Sequence, residues 1–283
     1  MLKLNDVAKS YGKKMVLYNV NLDFNNRHGV YGLLGRNGVG KTTMMQMIFN
    51  MIDKYDGVIE YEGQNVRNNS EALENIVYVG GTVYQNNTLY QGKLKHLLKT
   101  YDAMYDSFDL AFAKQLLEEF EIDESSKFHK LSTGNKTIVQ NILGLASRVK
   151  ITILDEPTNG LDSVNRQIFF RHMMEDYEAH PRMFILSTHL IQEIENYLTD
   201  VVMLKKSKVL LADPIEDIQA KSHRVKNYHF EDKNVIHEET LGGYTIQDIY
   251  DELTEEDMQA VTDAGGSIGF LDLQSLFNNL MEG

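Results

Sequence analysis

Near the N-terminus stands Gly35-Arg36-Asn37-Gly38-Val39-Gly40-Lys41-Thr42, and no other feature of the 283 residues restricts the fold as strongly. The octet matches G-x-x-x-x-G-K-[ST], a loop whose glycines let consecutive backbone N–H groups turn inward on phosphate oxygens. Such a loop works in one setting, after a buried strand and before a helix whose positive N-terminal end faces the anion. Both flanks are predicted. Val30–Leu34 reads as an apolar strand, and TTMMQMIFNMI, beginning at Thr42, has the apolar density and length of a helix packed on a sheet. Gly35 through Thr43 is therefore the candidate phosphate site. Lys41 is expected to bridge a β and a γ phosphate, and the Thr42 hydroxyl to ligate Mg²⁺.

The rest of the chain reads as strands and helices that supply a sheet for this loop. The opening, LKLNDVAKSYGKKMVLYNVNLDF, alternates apolar and polar residues around a turn at Tyr11-Gly12-Lys13-Lys14, which predicts an antiparallel hairpin, and residues 57–66 alternate again. Between about 85 and 147 strand patterns give way to helical ones, including FAKQLLEEFEI and TIVQNILGLAS, so a helical insert is expected there. Strand, helix and strand then resume with ITILDE, a helix from about Ser163 to Ala179, MFILSTH, a helix to Leu198, and VVMLKKSKVLLA. Alternation of this kind implies an α/β fold around a mostly parallel sheet. Ile151–Glu156 is an apolar strand ending in two carboxylates. Adjacent strand residues face opposite sides, so Asp155 is assigned to the metal and Glu156 to polarising an attacking water.

Charge marks a boundary. The chain carries −13, and Pro214–Gly283 holds 15 Asp/Glu against 4 Lys/Arg, a net of −11 that leaves −2 for residues 1–213. Residues 1–213 are read as one domain and 214–283 as an acidic C-terminal extension of small α+β character. No basic face is visible that would serve a nucleic acid. No apolar run approaches the roughly 18 residues of a membrane span. The N-terminus lacks a signal-peptide pattern and Cys is absent, so a cytoplasmic location is expected.

Beyond these residue-level readings, the order of motifs resembles that of ATP-binding cassette (ABC) ATPases. LSTGNK at 131–136 is similar to the family's signature L-S-G-G-Q, with Thr133 and Asn135 as departures; Asn159-Gly160-Leu161-Asp162 is similar to its D-loop, and Ser187-Thr188-His189 to its switch histidine. Tyr11 stands where the family sets an aromatic ring against adenine. The family's Q-loop glutamine aligns with Gly81, and Gln85, four residues on, is the candidate metal ligand of that loop. The resemblance covers about residues 1–213. It implies a P-loop cassette with an antiparallel β subdomain, ATP and Mg²⁺ as cofactors, and Glu156 and His189 as catalytic residues. It further implies a head-to-tail pair of ATPase domains, with Ser132 and Gly134 at the partner's nucleotide, and Asp162 of the D-loop-like segment as a further nucleotide-binding residue.

LSTGNK, YDAMYDSFD and DLQSLFNNLMEG resemble segments of bacterial cassettes that expel drugs or antimicrobial peptides. The expected partners are a second ABC domain, identical or not, and a separate membrane-spanning permease that holds the chain against the inner face of the membrane. The docking segment is expected at 81–100, with Tyr84, Leu89 and Tyr90 as apolar anchors and Lys93, Lys95 and Lys99 as rim. Two other readings remain. A non-transport ABC ATPase acting on ribosomes or DNA would usually carry two cassettes or long coiled coils, which this chain lacks. A non-catalytic nucleotide switch in a heterodimer is permitted by Gly81 and disfavoured by Glu156 and His189.

Overall fold

The structure, a computed structural model, describes residues 1–81 and 87–282. Strands β1 (Leu2–Tyr11) and β2 (Lys14–Phe24) form the expected hairpin, with Gly12 at φ 58° in the turn between them. β3 (Val30–Gly35) is buried along its whole length and leads into helix α1 (Lys41–Ile48). β4 (Asp56–Tyr61) pairs antiparallel with β1, Leu2 opposite Tyr61, and the two-residue β5 (Gln64–Asn65) extends this sheet to the order β2-β1-β4-β5. A short helix α2 (Ser70–Leu73) precedes β6 (Ile76–Gly80).

Helices then replace strands, as the patterning predicts. After a 3₁₀ turn at Thr88–Gln91 come α3 (Leu94–Met104), α4 (Leu110–Glu119) and α5 (Thr133–Ser147). The α/β alternation returns with β7 (Ile151–Asp155), α6 (Ser163–Ala179), β8 (Met183–Ser187), the single turn α7 (Ile191–Ile194), β9 (Asp200–Lys205) and β10 (Lys208–Pro214). The second sheet has the order β10-β9-β3-β8-β7-β6, and β3, β8, β7 and β6 run parallel. Its inner strands β3, β7 and β8 are buried along their whole length and mostly apolar, as strands of a parallel sheet covered on both faces are.

The last elements are α8 (Ile215–Lys221), β11 (Ser222–Lys226), β12 (Val235–Leu241), β13 (Tyr244–Tyr250), α9 (Glu255–Asp263), β14 (Ser267–Phe270) and α10 (Leu273–Glu282). Their strands make an antiparallel sheet of order β12-β13-β11-β14.

The chain forms two compact units, Met1–His189 with Val202–Leu211, and Leu190–Val201 with Ala212–Gly283. The first is built on a core that includes Leu33, Met44, Met45, Met47, Tyr78, Ile153 and Ile185. In the second, Val225, Phe230, Ile249 and Val261 cluster behind the sheet. There α10 lies on α7, and the Leu273 N–H donates to Glu195 Oε1 at 3.1 Å. The apolar stripe of α10, with Leu273 and Leu276 buried, thus rests on a segment that precedes it by some eighty residues in the chain.

Three expectations need correction. The helix after the phosphate loop stops at Ile48, because Phe49 caps it and Asn50 turns left-handed at φ 57°. The helix expected up to Leu198 is only α7 and a 3₁₀ turn at Glu195–Tyr197. Tyr90 is no surface anchor: it is 3% exposed, its hydroxyl lies 2.8 Å from that of Tyr101, and its ring meets Phe128 edge-on. Burial pushes the Tyr90 phenol up to about 12. Leu89 is 39% exposed, and Tyr84 lies outside the described residues.

Candidate nucleotide site

The phosphate loop is shaped by two glycines that no other residue could replace. A Cβ on Gly35 (φ 156°) would stand 2.7 Å from Val39 Cγ1 and 2.9 Å from the Leu204 carbonyl oxygen; one on Gly40 (φ 120°) would stand 2.7 Å from Leu17 Cδ2 and 3.0 Å from the Val16 carbonyl oxygen. The loop is therefore pressed onto β2 and β9 while Arg36, Asn37 and Gly38 remain exposed, with Val39 half-buried. Lys41 is buried and its ammonium donates to the Gly35 carbonyl at 2.5 Å and more distantly to Arg36 at 3.5 Å. Burial lowers the pKa of Lys41, and the nearby carboxylates of Glu156 and Asp155 offset part of that shift. A cation held in so little water is a strong partner for an entering polyphosphate. Thr42 and Thr43 follow on the first turn of α1.

On the next strands two carboxylates take different environments, as the alternation of a strand requires. Asp155 is buried at the end of β7, where it accepts hydrogen bonds from the hydroxyls of Ser187, at 2.5 Å, and Tyr78, at 3.0 Å. Glu156 is bent out of the strand into the left-handed region at φ 53°. That conformation costs a non-glycine residue about 1–2 kcal/mol and is held here because the Glu156 N–H donates to both Ser187 Oγ (3.0 Å) and the Ser187 carbonyl (3.2 Å). The bend carries the Glu156 carboxylate to His189, whose Nδ1 lies 2.9 Å from Oε2. His189 itself is exposed.

Thr42, Asp155 and Glu156 meet in a cavity of about 210 Å³, with Val79, Gly80, Gly81, Thr137, Gln140, Asn141, Pro157 and Asn159 completing its wall. The volume suits a phosphoryl group with a few waters, since each water occupies about 30 Å³ of liquid. The oxygen donors also suit Mg²⁺. Among the described residues there is no group of three or more His, Cys, Asp or Glu that could cage a metal. A hydroxyl and one carboxylate, with the remaining positions left to water and phosphate, are what Mg²⁺ takes.

The other candidates fall into place by backbone geometry. Ser132 caps α5 by accepting from the Asn135 N–H at 3.1 Å, and Asp162 caps α6 by accepting from the Asn165 N–H at 2.8 Å. Gly134 is needed for close approach, since a Cβ there would stand 2.6 Å from the Gly160 carbonyl oxygen. The signature and the D-loop of one chain are thus in backbone contact. Tyr11 is 50% exposed at the end of β1, with Lys9 Nζ 4.9 Å from its ring centre. Gln85 lies outside the described residues. Sequence reasoning missed Tyr78, Gln140 and Asn141. Asn141 Nδ2 donates to the Pro157 carbonyl at 2.6 Å and so fixes the turn after Glu156. The available signal was two amides side by side in the apolar stretch 138–145 of the helix, because a buried amide must find partners.

A family model described as "ABC transporter" matches residues 17–159. YtrB of Bacillus subtilis, named an ABC transporter ATP-binding protein, is 28% identical over 219 residues, covering 77% of this chain and 74% of its own. SrtF of Streptococcus pyogenes, named a lantibiotic transport ATP-binding protein, is 29% identical over 227 residues, covering 75% of this chain and 90% of its own. Among solved structures, the dimeric post-hydrolysis state of the ATP-binding cassette MJ0796, bound to ADP and Pi, superposes with a TM-score of 0.63 at 22% identity, over 76% of this chain and 99% of that one.

Proposed function

Because the chain belongs to the ABC transporter family as an ATP-binding, ATP-hydrolysing cassette, we propose that it drives export through a separate membrane-spanning subunit, working as one of a head-to-tail pair of cassettes. The observation that carries the reading is the cavity in which Thr42, Asp155 and Glu156 converge, with His189 on Glu156. The lantibiotic role in the name of SrtF supports the export direction. No helix among the described residues is long and apolar enough to cross a membrane, which supports a partner that does. Such a partner would hold this chain at the cytoplasmic face.

In this reading the loop N–H groups from Gly35 to Thr43 cradle the α and β phosphates, Lys41 neutralises the β and γ phosphates, and Tyr11 offers its exposed ring to adenine. Thr42 and Asp155 hold Mg²⁺, which when bound neutralises charge on the phosphates. Glu156 takes the proton of the attacking water. His189 orients the Glu156 carboxylate by donating from Nδ1, and its exposed edge is free to reach the γ phosphate. Ser132 and Gly134, at the positive end of α5, present donors to the nucleotide of the second cassette, with Asp162 nearby on the same face.

The test is Glu156→Gln. A general base contributes about 10²–10⁴-fold, so turnover should fall by that factor while ATP affinity stays within about threefold. The variant should then run as an ATP-dependent dimer in light scattering and co-purify with its membrane partner. Turnover within about tenfold of wild type, together with no ATP-dependent change in mass, would remove Glu156 from the chemistry.

A further inference from the structure

Among the residues that wall the cavity, Gln140 has no assigned task. Gln140 is 3% exposed, on the second turn of α5, and its Nε2 donates to the Gly80 carbonyl at 3.0 Å. That bond fixes the amide's orientation, since only the NH₂ end can face a carbonyl. The other end, Oε1, has no partner among the described residues, nor is it enclosed as an orphan, so it opens on the cavity that Gln140 lines with Thr42, Asp155 and Glu156. The position is close to the reacting groups. Gly80 pairs in register with Asp155, and a Cβ on Gly80 would stand 2.8 Å from that of Asp155. An amide oxygen that opens on a polar cavity takes its donor from water held there, so Gln140 Oε1 is placed to accept from a water in the same space as Glu156.

We propose that Gln140 is a positioning residue for the hydrolytic water, accepting one of its hydrogen bonds while Glu156 accepts the other. This rests on the ATPase reading of the site. A water with one O–H directed to Glu156 and one to Gln140 Oε1 has its lone pairs turned away from both, toward the phosphoryl group. In the reaction the water oxygen bonds to the γ phosphorus as the bond from phosphorus to the β–γ bridging oxygen breaks. The electron pair stays with ADP, and the proton passes to Glu156. Gln140 gains and loses no proton. It thereby supplies from α5 an amide that the loop after β6 lacks at Gly81, whose Cβ position is open space.

The measurement is steady-state turnover alongside ATP affinity from a fluorescent nucleotide, on full-length protein. Gln140→Leu should lower kcat about 10- to 100-fold, with KM and ATP affinity within twofold. Adding Gly81→Gln to Gln140→Leu should recover at least tenfold of kcat, because a glutamine from the open position reaches the same cavity. A purely structural tie from α5 to Gly80 predicts no such rescue. Should Gln140→Leu fail to fold, Gln140→Asn, which keeps the amide but withdraws its oxygen by about 1.5 Å, carries the same expectation. The proposal is overturned if kcat is unchanged, if kcat falls only in step with ATP affinity and melting temperature, or if Gln85→Ala abolishes turnover while Gln140→Leu does not. Retained turnover in Glu156→Gln would instead remove Glu156 as the base, the part of the site reading on which this proposal rests.

Discussion

The two units of the chain bury polar groups with equal care and put them to opposite uses. In the first, Asp155, Glu156 and Gln140 are tied down on one side and open on the other to a shared cavity. In the second, the polar groups around Asp248 and Gln247 satisfy one another. Arg224 donates twice to Asp248, from Nε and from Nη2, each at 2.7 Å, and Asn279 Nδ2 adds a third bond to the same carboxylate. Gln247, wholly buried, accepts from the Phe230 N–H at 2.8 Å and donates to Glu238 at 2.6 Å. A satisfied network specifies a fold and leaves nothing for a ligand, whereas a half-satisfied one is expensive unless a ligand completes it. The first unit also stores backbone strain at Glu156, where the chemistry is.

That contrast can be broken from either side. The largest effect should come from Lys41→Ala, which removes a buried cation aimed at phosphate. A charge-assisted contact of about 2–3 kcal/mol corresponds to a roughly 30- to 150-fold loss of ATP affinity, readable by titration with a fluorescent nucleotide. His189→Ala should spare affinity but lower turnover about tenfold, or 1.4 kcal/mol of barrier, because Glu156 loses the group that orients it. Unchanged turnover would leave His189 an exposed loop residue.

In the second unit, Asp248→Ala should cost about 2 kcal/mol of stability, less than a fully buried pair because the Arg224 side chain is 37% exposed. Calorimetry should show it as a lower unfolding temperature with ATP affinity unaltered. A loss of ATP affinity would mean that the second unit's network also serves the site. The smallest effect concerns acid. Thr254 caps α9 through a reciprocal pair with Asp257, and Lys233 adds an ion pair at 2.7 Å. The Lys233 hydrogen bond, with those from Thr254, lowers the Asp257 carboxyl from 3.8 to about 2. Its contribution is complete above 3.8 and is lost as pH falls toward 2. Carboxyl carbon shifts in NMR should place that titration near pH 2, and in Lys233→Ala nearer to 3.8.

Much of the site could be read in advance because its parts are contiguous. The phosphate loop, ITILDE and the Ser132 cap are each written within a few residues, and each has a flanking strand or helix whose period is visible. The fold of the first unit followed for the same reason, down to α6 at Ser163–Ala179. Tyr90 went the other way: an aromatic beside lysines reads as a surface anchor, and only the meeting of Tyr101 and Phe128 makes it core.

By itself, then, the sequence determined the phosphate loop, the two carboxylates, the α/β alternation and the family's order of motifs, since local hydrogen bonding and hydrophobic period specify all of these. Tertiary structure alone decided which hydroxyls hold Asp155, why Glu156 turns left-handed toward His189, and that Gln140 faces the same cavity from a helix. It also placed α10 on α7, uniting Leu190–Val201 with the acidic C-terminal segment in one compact unit. The physical reason is distance along the chain. Gly80 and Gln140, or Glu195 and Leu273, are some sixty to eighty residues apart, and contacts at that separation arise from how layers pack rather than from any period a short window contains.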